Sequence, residues 1–314
     1  MDRAAHAPDG ADGPGGSRAA RRGRRAPEPA APGGPAAGSY EISTGTAELV
    51  PDEYAPGSWV LHVNGVPSSH VDPQHPERLD FEYMRWIAAL VHAHVGAHLD
   101  PAALRVLHLG GGACSMARYL AHAYPAARQV VVELDGRLAE LVRQWFDLPR
   151  APRLRIRVGE ARAVTESLTA ATRDVVVRDV FAGSTTPEPL TTVEFARHVA
   201  RVLAPGGLYV LNCGDTRDLA GARAELAALS EVFEHVGAVA DPAMLKGRRY
   251  GNIVLAASAV PLPAGGSPEA AALGRELLGG AVPAQYKDGA WARSFVAGTP
   301  PRRDAVPPRA PHAP

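Results

Sequence analysis

The sequence predicts an α/β protein built on an open, doubly wound and mostly parallel sheet, preceded by a small β-hairpin domain. Three observations carry this. Short segments of near-continuous Val, Ile and Leu recur as "RVLHLG", "QVVVELD", "RLRIRVG", "DVVVRDVF", "GLYVLNCG" and "NIVLAASA". Strands of that kind suit a parallel sheet covered on both faces. Between them run helical stretches: Leu138, Leu141, Val142 and Trp145 follow i, i+3, i+4, i+7, and Phe195, Val199, Val202 and Leu203 follow i, i+4, i+7, i+8. Regular alternation of strand and helix gives a doubly wound sheet whose ligands bind at the carboxyl ends of the strands.

Taken in order, residues 1–38 are Ala, Gly, Pro and Arg with almost no large apolar side chain. Such a segment cannot bury enough surface to offset its ordering entropy and is predicted to be disordered. The pairs Arg21–Arg22 and Arg24–Arg25 are followed by Pro and Gly, not by the apolar segment of an export signal. Residues 39–79 form the small domain, with "SYEIST" and "WVLHVNGVPSSHVD" as strands and Asn64-Gly65 as a hairpin turn. Residues 80–260 form the main domain, opening on the helix "DFEYMRWIAALVHAHV". Residues 261–314, rich in Pro and Gly, are predicted to be mostly disordered, apart from a short helix near Ala270–Leu278 and docking by Trp291 and Phe295.

Composition narrows the function classes. The chain of 314 residues carries 33 basic and 33 acidic side chains, so net charge favours neither nucleic acid nor an anionic membrane as partner. At 46% hydrophobic it builds a sizeable core. Cys114 and Cys213, the two cysteines, lie far apart without metal-type or disulfide-framework spacing. With neither a membrane-length apolar run nor a signal peptide, the expectation is a reduced, cytoplasmic protein. His62, His70, His75, His92, His94 and His98 show no ligand-motif spacing; His94 and His98 stand i, i+4 without an evident third ligand, so no metal is expected.

Chemistry concentrates at the strand ends. Gly110, Gly111 and Gly112 close the first core strand, where glycine permits positive φ and lets a ligand lie against bare backbone. Glu133 ends the next strand about 20 residues on, where an acid accepts hydrogen bonds from ribose hydroxyls. Ser115 stands where a dinucleotide fingerprint has its third glycine, which disfavours an NAD oxidoreductase. Gly159-Glu160 in "VGEA" ends the third strand with an acid able to accept an adenine amino group, beside Ala161. Pro205-Gly206-Gly207 leads into a later strand. In this order and spacing the four features resemble the class I S-adenosylmethionine-dependent transferase fold, a Rossmann-like sheet of methyltransferase type.

"LGGG", "VVELD", "VGEA", "DVVVRDVFAG" and the upstream "LDFEYMRWIAAL" resemble, more narrowly, the spermidine synthase (polyamine aminopropyltransferase) family, over about residues 40–260. The resemblance implies transfer of an aminopropyl group from decarboxylated S-adenosylmethionine to a small amine, in polyamine biosynthesis and without a prosthetic group. It implies that Gly110–Gly112, Glu133, Glu160 and Ala161 hold the donor. Asp179 would bind and deprotonate the attacking amine, and Tyr83 would support the acceptor. It also makes a homodimer the assembly to test. The sequence departs from the family where Ala113, Cys114 and Ser115 replace Asp-Gly-Gly, where Ala182 replaces a second acid and where Met84 replaces a polar side chain. The resemblance sets the acid missing at Ala113 against the donor's ammonium, so its loss disfavours the decarboxylated donor and favours intact S-adenosylmethionine. The alternatives are therefore a methyltransferase acting on a small molecule and a nucleoside-binding pseudoenzyme. Cys114, at a helix N-terminus, is a candidate reactive thiol or a small filler of a tight turn.

Overall fold

The computed structural model describes residues 34–183 and 185–305. The expected disorder of residues 1–33 and of 306–314 falls outside them. The chain opens with an antiparallel meander, β1 (Gly38–Ile42), β2 (Gly45–Pro51), β3 (Trp59–Val63) and β4 (Val66–Val71), paired in that order. β2 was not anticipated, because "GTAELVP" offers few large apolar residues. Asn64 and Gly65 both have positive φ (51° and 79°), the geometry of a tight two-residue turn, and Asn64 Oδ1 accepts from the Thr46 amide at 2.9 Å.

α1 (Glu82–His98) follows, then β5 (Arg105–Leu109), α2 (Ser115–Ala123), β6 (Arg128–Glu133), α3 (Gly136–Trp145), β7 (Leu154–Val158), α4 (Ala161–Ser167) and β8 (Arg173–Arg178). A 3-10 turn, Glu188–Leu190, leads to α5 (Val193–Val202), β9 (Leu203–Asp215), α6 (Ala220–Ser230), β10 (His235–Ala240), α7 (Pro242–Leu245) and β11 (Gly251–Ser258). These seven strands belong to one eight-stranded sheet, whose last strand comes from the C-terminal segment. β9, β8, β5, β6 and β7 run parallel, while β11 joins β9 and β10 joins β11 antiparallel. "HVGAVA", the source of β10, is too poor in large side chains to read as a strand beforehand.

Two apolar clusters hold these layers. The larger packs α1, including Trp86, Ile87 and Val91, and other helices against Val106, Val176, Leu211 and Leu255 of the central strands. The second joins the meander to α2, α3 and β6 through Ile42, Leu49, Leu61, Ala113, Leu138 and Trp145.

Residues 261–305 overturn the expectation of a mostly disordered tail. They form α8 (Pro268–Leu278), β12 (Gln285–Lys287), which pairs antiparallel with β10 and extends the sheet, and α9 (Gly289–Phe295). Leu273, Leu277, Ala284 and Ala292 are buried, α8 packs on α1, and Trp291 stacks on Phe295. The segment needs no core of its own: a few anchors suffice when each lands on a surface that the sheet and α1 already present. Among the described residues no helix is long and apolar enough to cross a membrane.

Candidate functional site

Parallel pairing of β6, β5 and β8 brings their carboxyl ends side by side. The glycine turn is squeezed between the two neighbouring strand ends. A Cβ on Gly110, where φ is 90°, would collide with the Asp179 carbonyl oxygen. One on Gly111 would lie 2.9 Å from Glu133 Oε2, and one on Gly112 2.6 Å from Ser69 Oγ of β4. No side chain larger than hydrogen fits there without movement.

Glu133 lies under the turn. Its Oε2 accepts from the amides of Gly111 (3.0 Å) and Gly112 (3.1 Å), and its Oε1 accepts from the Asp135 amide (3.0 Å). A carboxylate has about four acceptor positions, so one remains for a hydroxyl. Asp135 ties this corner to the meander: Oδ1 caps α3 at Leu138 N (2.8 Å), and Oδ2 takes both the amide and the hydroxyl of Thr44 (2.6 and 2.8 Å).

On the other side of the turn, Asp179 follows β8 and is half-buried. Tyr83, on the first turn of α1, donates its hydroxyl to Oδ2 at 2.9 Å, and Asn212 of β9 donates Nδ2 to Oδ1 at 3.1 Å. Loss of water raises the Asp179 pKa, while the bonds from Asn212 and Tyr83 and the charge of Arg178 work the other way. Burial first, then the Asp179 charge, pushes the Tyr83 phenol well above its ordinary value, so it stays a donor. Sequence reasoning did not single out Asn212, although a polar residue ending an apolar strand was a readable signal. Behind this group Arg178 is fully buried. It pairs with Glu225 of α6 at 2.5 Å and donates to the carbonyls of Leu190 (2.7 Å) and Asn212 (3.1 Å).

Glu160 and Ala161 stand apart, at the β7–α4 junction. Glu160 is exposed and caps α4, its oxygens accepting from Arg162 N (2.8 Å) and Ala163 N (2.7 Å); Ala161 is buried. Nearby are apolar side chains that pattern reasoning missed. Leu134 is 61% exposed, Val158 57% and Phe181 37%, all just at or beyond the ends of parallel strands. Large apolar groups left open where ligands dock offer walls for a flat, apolar partner.

The expectation for Ala113 is corrected, and of the two readings of Cys114 the small filler of a tight turn holds. Ala113 does not face the cleft: it is 0% exposed in the cluster beneath the meander, and its amide donates to Ser69 Oγ at 3.0 Å. Its lost acid therefore says nothing about the ammonium of a donor. Cys114, with a left-handed backbone (φ 61°), is buried, and burial followed by the Glu133 charge pushes its thiol up to about 12. It fills space and is not activated. Ser115 Oγ likewise bonds the His70 carbonyl at 2.7 Å, so "ACS" docks the meander. Ala182 is exposed in a turn closed on Thr185. His94 and His98 each direct Nε2 to a backbone carbonyl, of Gly206 (2.8 Å) and Pro261 (3.0 Å).

Comparison with known proteins matches residues 88–252 to the spermine/spermidine synthase domain family. A crystal structure of a probable spermidine synthase from Corynebacterium glutamicum is 57% identical, with a TM-score of 0.85 over 88% of this chain and 99% of that one. The spermidine synthase of Thermotoga maritima, 16% identical with a TM-score of 0.55 over 71% of this chain and 72% of that one, shares the fold. The polyamine aminopropyltransferase of Vibrio vulnificus is 29% identical over 150 residues, 47% of this chain and 48% of the relative. The chain thus spans about half the length of that curated relative. Because the matched segment runs from α1 into β11, and so holds the glycine turn, Glu133, Asp179 and Asn212 together, this chain belongs to the spermine/spermidine synthase family.

Proposed function

We propose that the protein transfers the aminopropyl group of decarboxylated S-adenosylmethionine to a small amine, a step of polyamine biosynthesis, and needs no prosthetic group. The observation that carries this is the Asp179 carboxylate, held on both oxygens by Tyr83 and Asn212, on a residue whose backbone carbonyl abuts Gly110. A diamine is cationic near neutral pH and must lose a proton before its nitrogen can attack. Asp179 would bind that ammonium and take the proton. The freed lone pair forms the new N–C bond as the C–S bond breaks, and the sulfonium leaves as the neutral thioether methylthioadenosine. Since the leaving group is already activated, positioning supplies most of the remaining acceleration.

The donor fits the other half of the site. The fourth acceptor position of Glu133 suits a ribose hydroxyl, Leu134 and Val158 suit the faces of a purine, and Glu160 with Ala161 stands at its edge. The names of the relatives support the same chemistry. Both cysteines are free thiols, which supports a reducing, cytoplasmic setting.

The test is calorimetric titration with decarboxylated S-adenosylmethionine, S-adenosylmethionine and methylthioadenosine, together with an assay for methylthioadenosine release from the decarboxylated donor plus a diamine. The decarboxylated donor is expected to bind at least as well as the intact one and to turn over. Tighter binding of the intact donor with no thioether released from the decarboxylated one overturns the assignment in favour of methyl transfer.

A further inference from the structure

The cleft beside the glycine turn extends inward past Asp179 to His108, a side chain that no motif explains. It is partly open to solvent, and its walls include Met84, Ile87, Met116 and Val177, with Cys114 and Ser115 beside them. His108 sits two residues before Gly110 and pairs in register with Val177, itself two residues before Asp179. Alternate residues of adjoining parallel strands share a face, so His108 and Asp179 stand on the same side of the sheet, and both line the cleft.

The hydrogen-bond chain settles which ring nitrogen carries the proton. Gln129 donates Nε2 to the Ala117 carbonyl at 2.9 Å, so its amide oxygen faces His108 Nε2 at 2.8 Å. That oxygen only accepts, so Nε2 is the protonated nitrogen and Nδ1 keeps a lone pair. Among the described residues no donor reaches Nδ1. The ring itself lines the cleft, with Nε2 engaged by Gln129. The side chain is 3% exposed, and burial holds its pKa at about 4, so at neutral pH it is an acceptor and does not repel a cation.

We propose that His108 Nδ1 accepts a hydrogen bond from the primary ammonium on the three-carbon arm of the donor, binding that arm beneath the glycine turn. This rests on the aminopropyl-transfer reading above. With Ala113 turned into the core, Asp179 occupied by the attacking amine and the Ser115 hydroxyl bonded to the His70 carbonyl, His108 is the ring acceptor among the Met84, Ile87, Met116 and Val177 walls of the cleft. An ammonium among methionine and aliphatic side chains without an acceptor would be costly.

Methylthioadenosine lacks the arm and so separates this inference from the site as a whole. Wild type and His108→Leu should be titrated with decarboxylated S-adenosylmethionine and with methylthioadenosine. The variant is expected to lose about tenfold or more in affinity for the first, the scale of one hydrogen bond to a charged group, and less than about twofold for the second. His108→Asn, which keeps an acceptor, should recover part of the loss. Nitrogen-15 spectra of wild-type imidazoles supply a test that needs no variant: the His108 Nδ1 resonance should move on adding the decarboxylated donor and stay in place with methylthioadenosine. Equal losses for both ligands, an unmoved Nδ1 resonance, or an effect confined to the KM of the diamine overturns the proposal. If wild type binds methylthioadenosine in no measurable way, the donor site itself fails, and this inference with it.

Discussion

Asp179 is held between burial, which opposes its charge, and two donors and Arg178, which favour it; burial prevails. Because its folded-state pKa lies above that of an unfolded aspartate, the folded protein holds this proton more tightly. Stability from the carboxyl is present at low pH and is lost as pH rises through the folded pKa. Asp179→Asn should therefore unfold at a higher temperature than wild type at neutral pH. An amide can still accept from Asn212 and donate to Tyr83. Turnover should fall by about two orders of magnitude or more, the scale of a lost general base; thermal denaturation and a thioether-release assay read both effects. Tyr83→Phe removes a donor to the ionised carboxylate, so the acidic limb of the rate–pH profile should move to higher pH. An unmoved limb would show that Tyr83 does not support that charge. Ala113→Asp, which restores the family's residue, should not improve donor binding. It places a carboxylate among Leu49, Leu61 and Leu138 and should destabilise by several kcal/mol, readable in denaturant unfolding.

Among the elements, β8 and α6 are joined by a buried charge pair, Arg178 with Glu225. Burial opposes the Arg178 charge, and Glu225, together with Tyr209 and Cys213, more than offsets it. Glu225→Leu leaves an uncompensated buried guanidinium and should cost about 3–5 kcal/mol, whereas Arg178→Met combined with Glu225→Leu should recover most of it. If the double variant is as unstable as the single one, packing and not charge governs this contact. Because Arg178 also holds the Leu190 and Asn212 carbonyls, the same pair fixes the turn after β8 and the strand that supports Asp179. The meander is likewise part of the site's construction. Ser69, His70 and Asp72 of β4 and its exit bond Ala113, Ser115 and Arg118, so the N-terminal sheet presses the glycine turn into shape.

For the molecule as a whole, the C-terminal segment acts as a strap. Asp304 binds the guanidinium of Arg162 on the first turn of α4 and accepts from Thr192 Oγ1 (2.8 Å), while the Val193 amide donates to the Arg302 carbonyl (3.0 Å). It therefore joins the start of α4 to the start of α5. Deleting residues 302–314 should speed amide exchange in the first turn of α4 and in 188–193 while leaving β5 and β6 protected; unchanged exchange there would show that the strap carries no load.

The sequence by itself determined six of the eight strands of the main sheet and the identity of its strand-end acids. Near-continuous Val and Leu runs fix which segments are buried on both faces, and a glycine triplet followed by an acid one strand later depends only on local chain geometry. Tyr83 and Asp179, 96 positions apart, were named through family resemblance, yet their 2.9 Å bond depends on how α1 crosses the sheet. Which way Ala113 faces, whether Cys114 is ionised, which His108 nitrogen Gln129 engages and whether the last 45 described residues fold were decided only by tertiary structure. Burial, tautomer and pKa depend on neighbours brought from distant parts of the chain, and a tail with a few anchors folds only because another element supplies the surface it lands on.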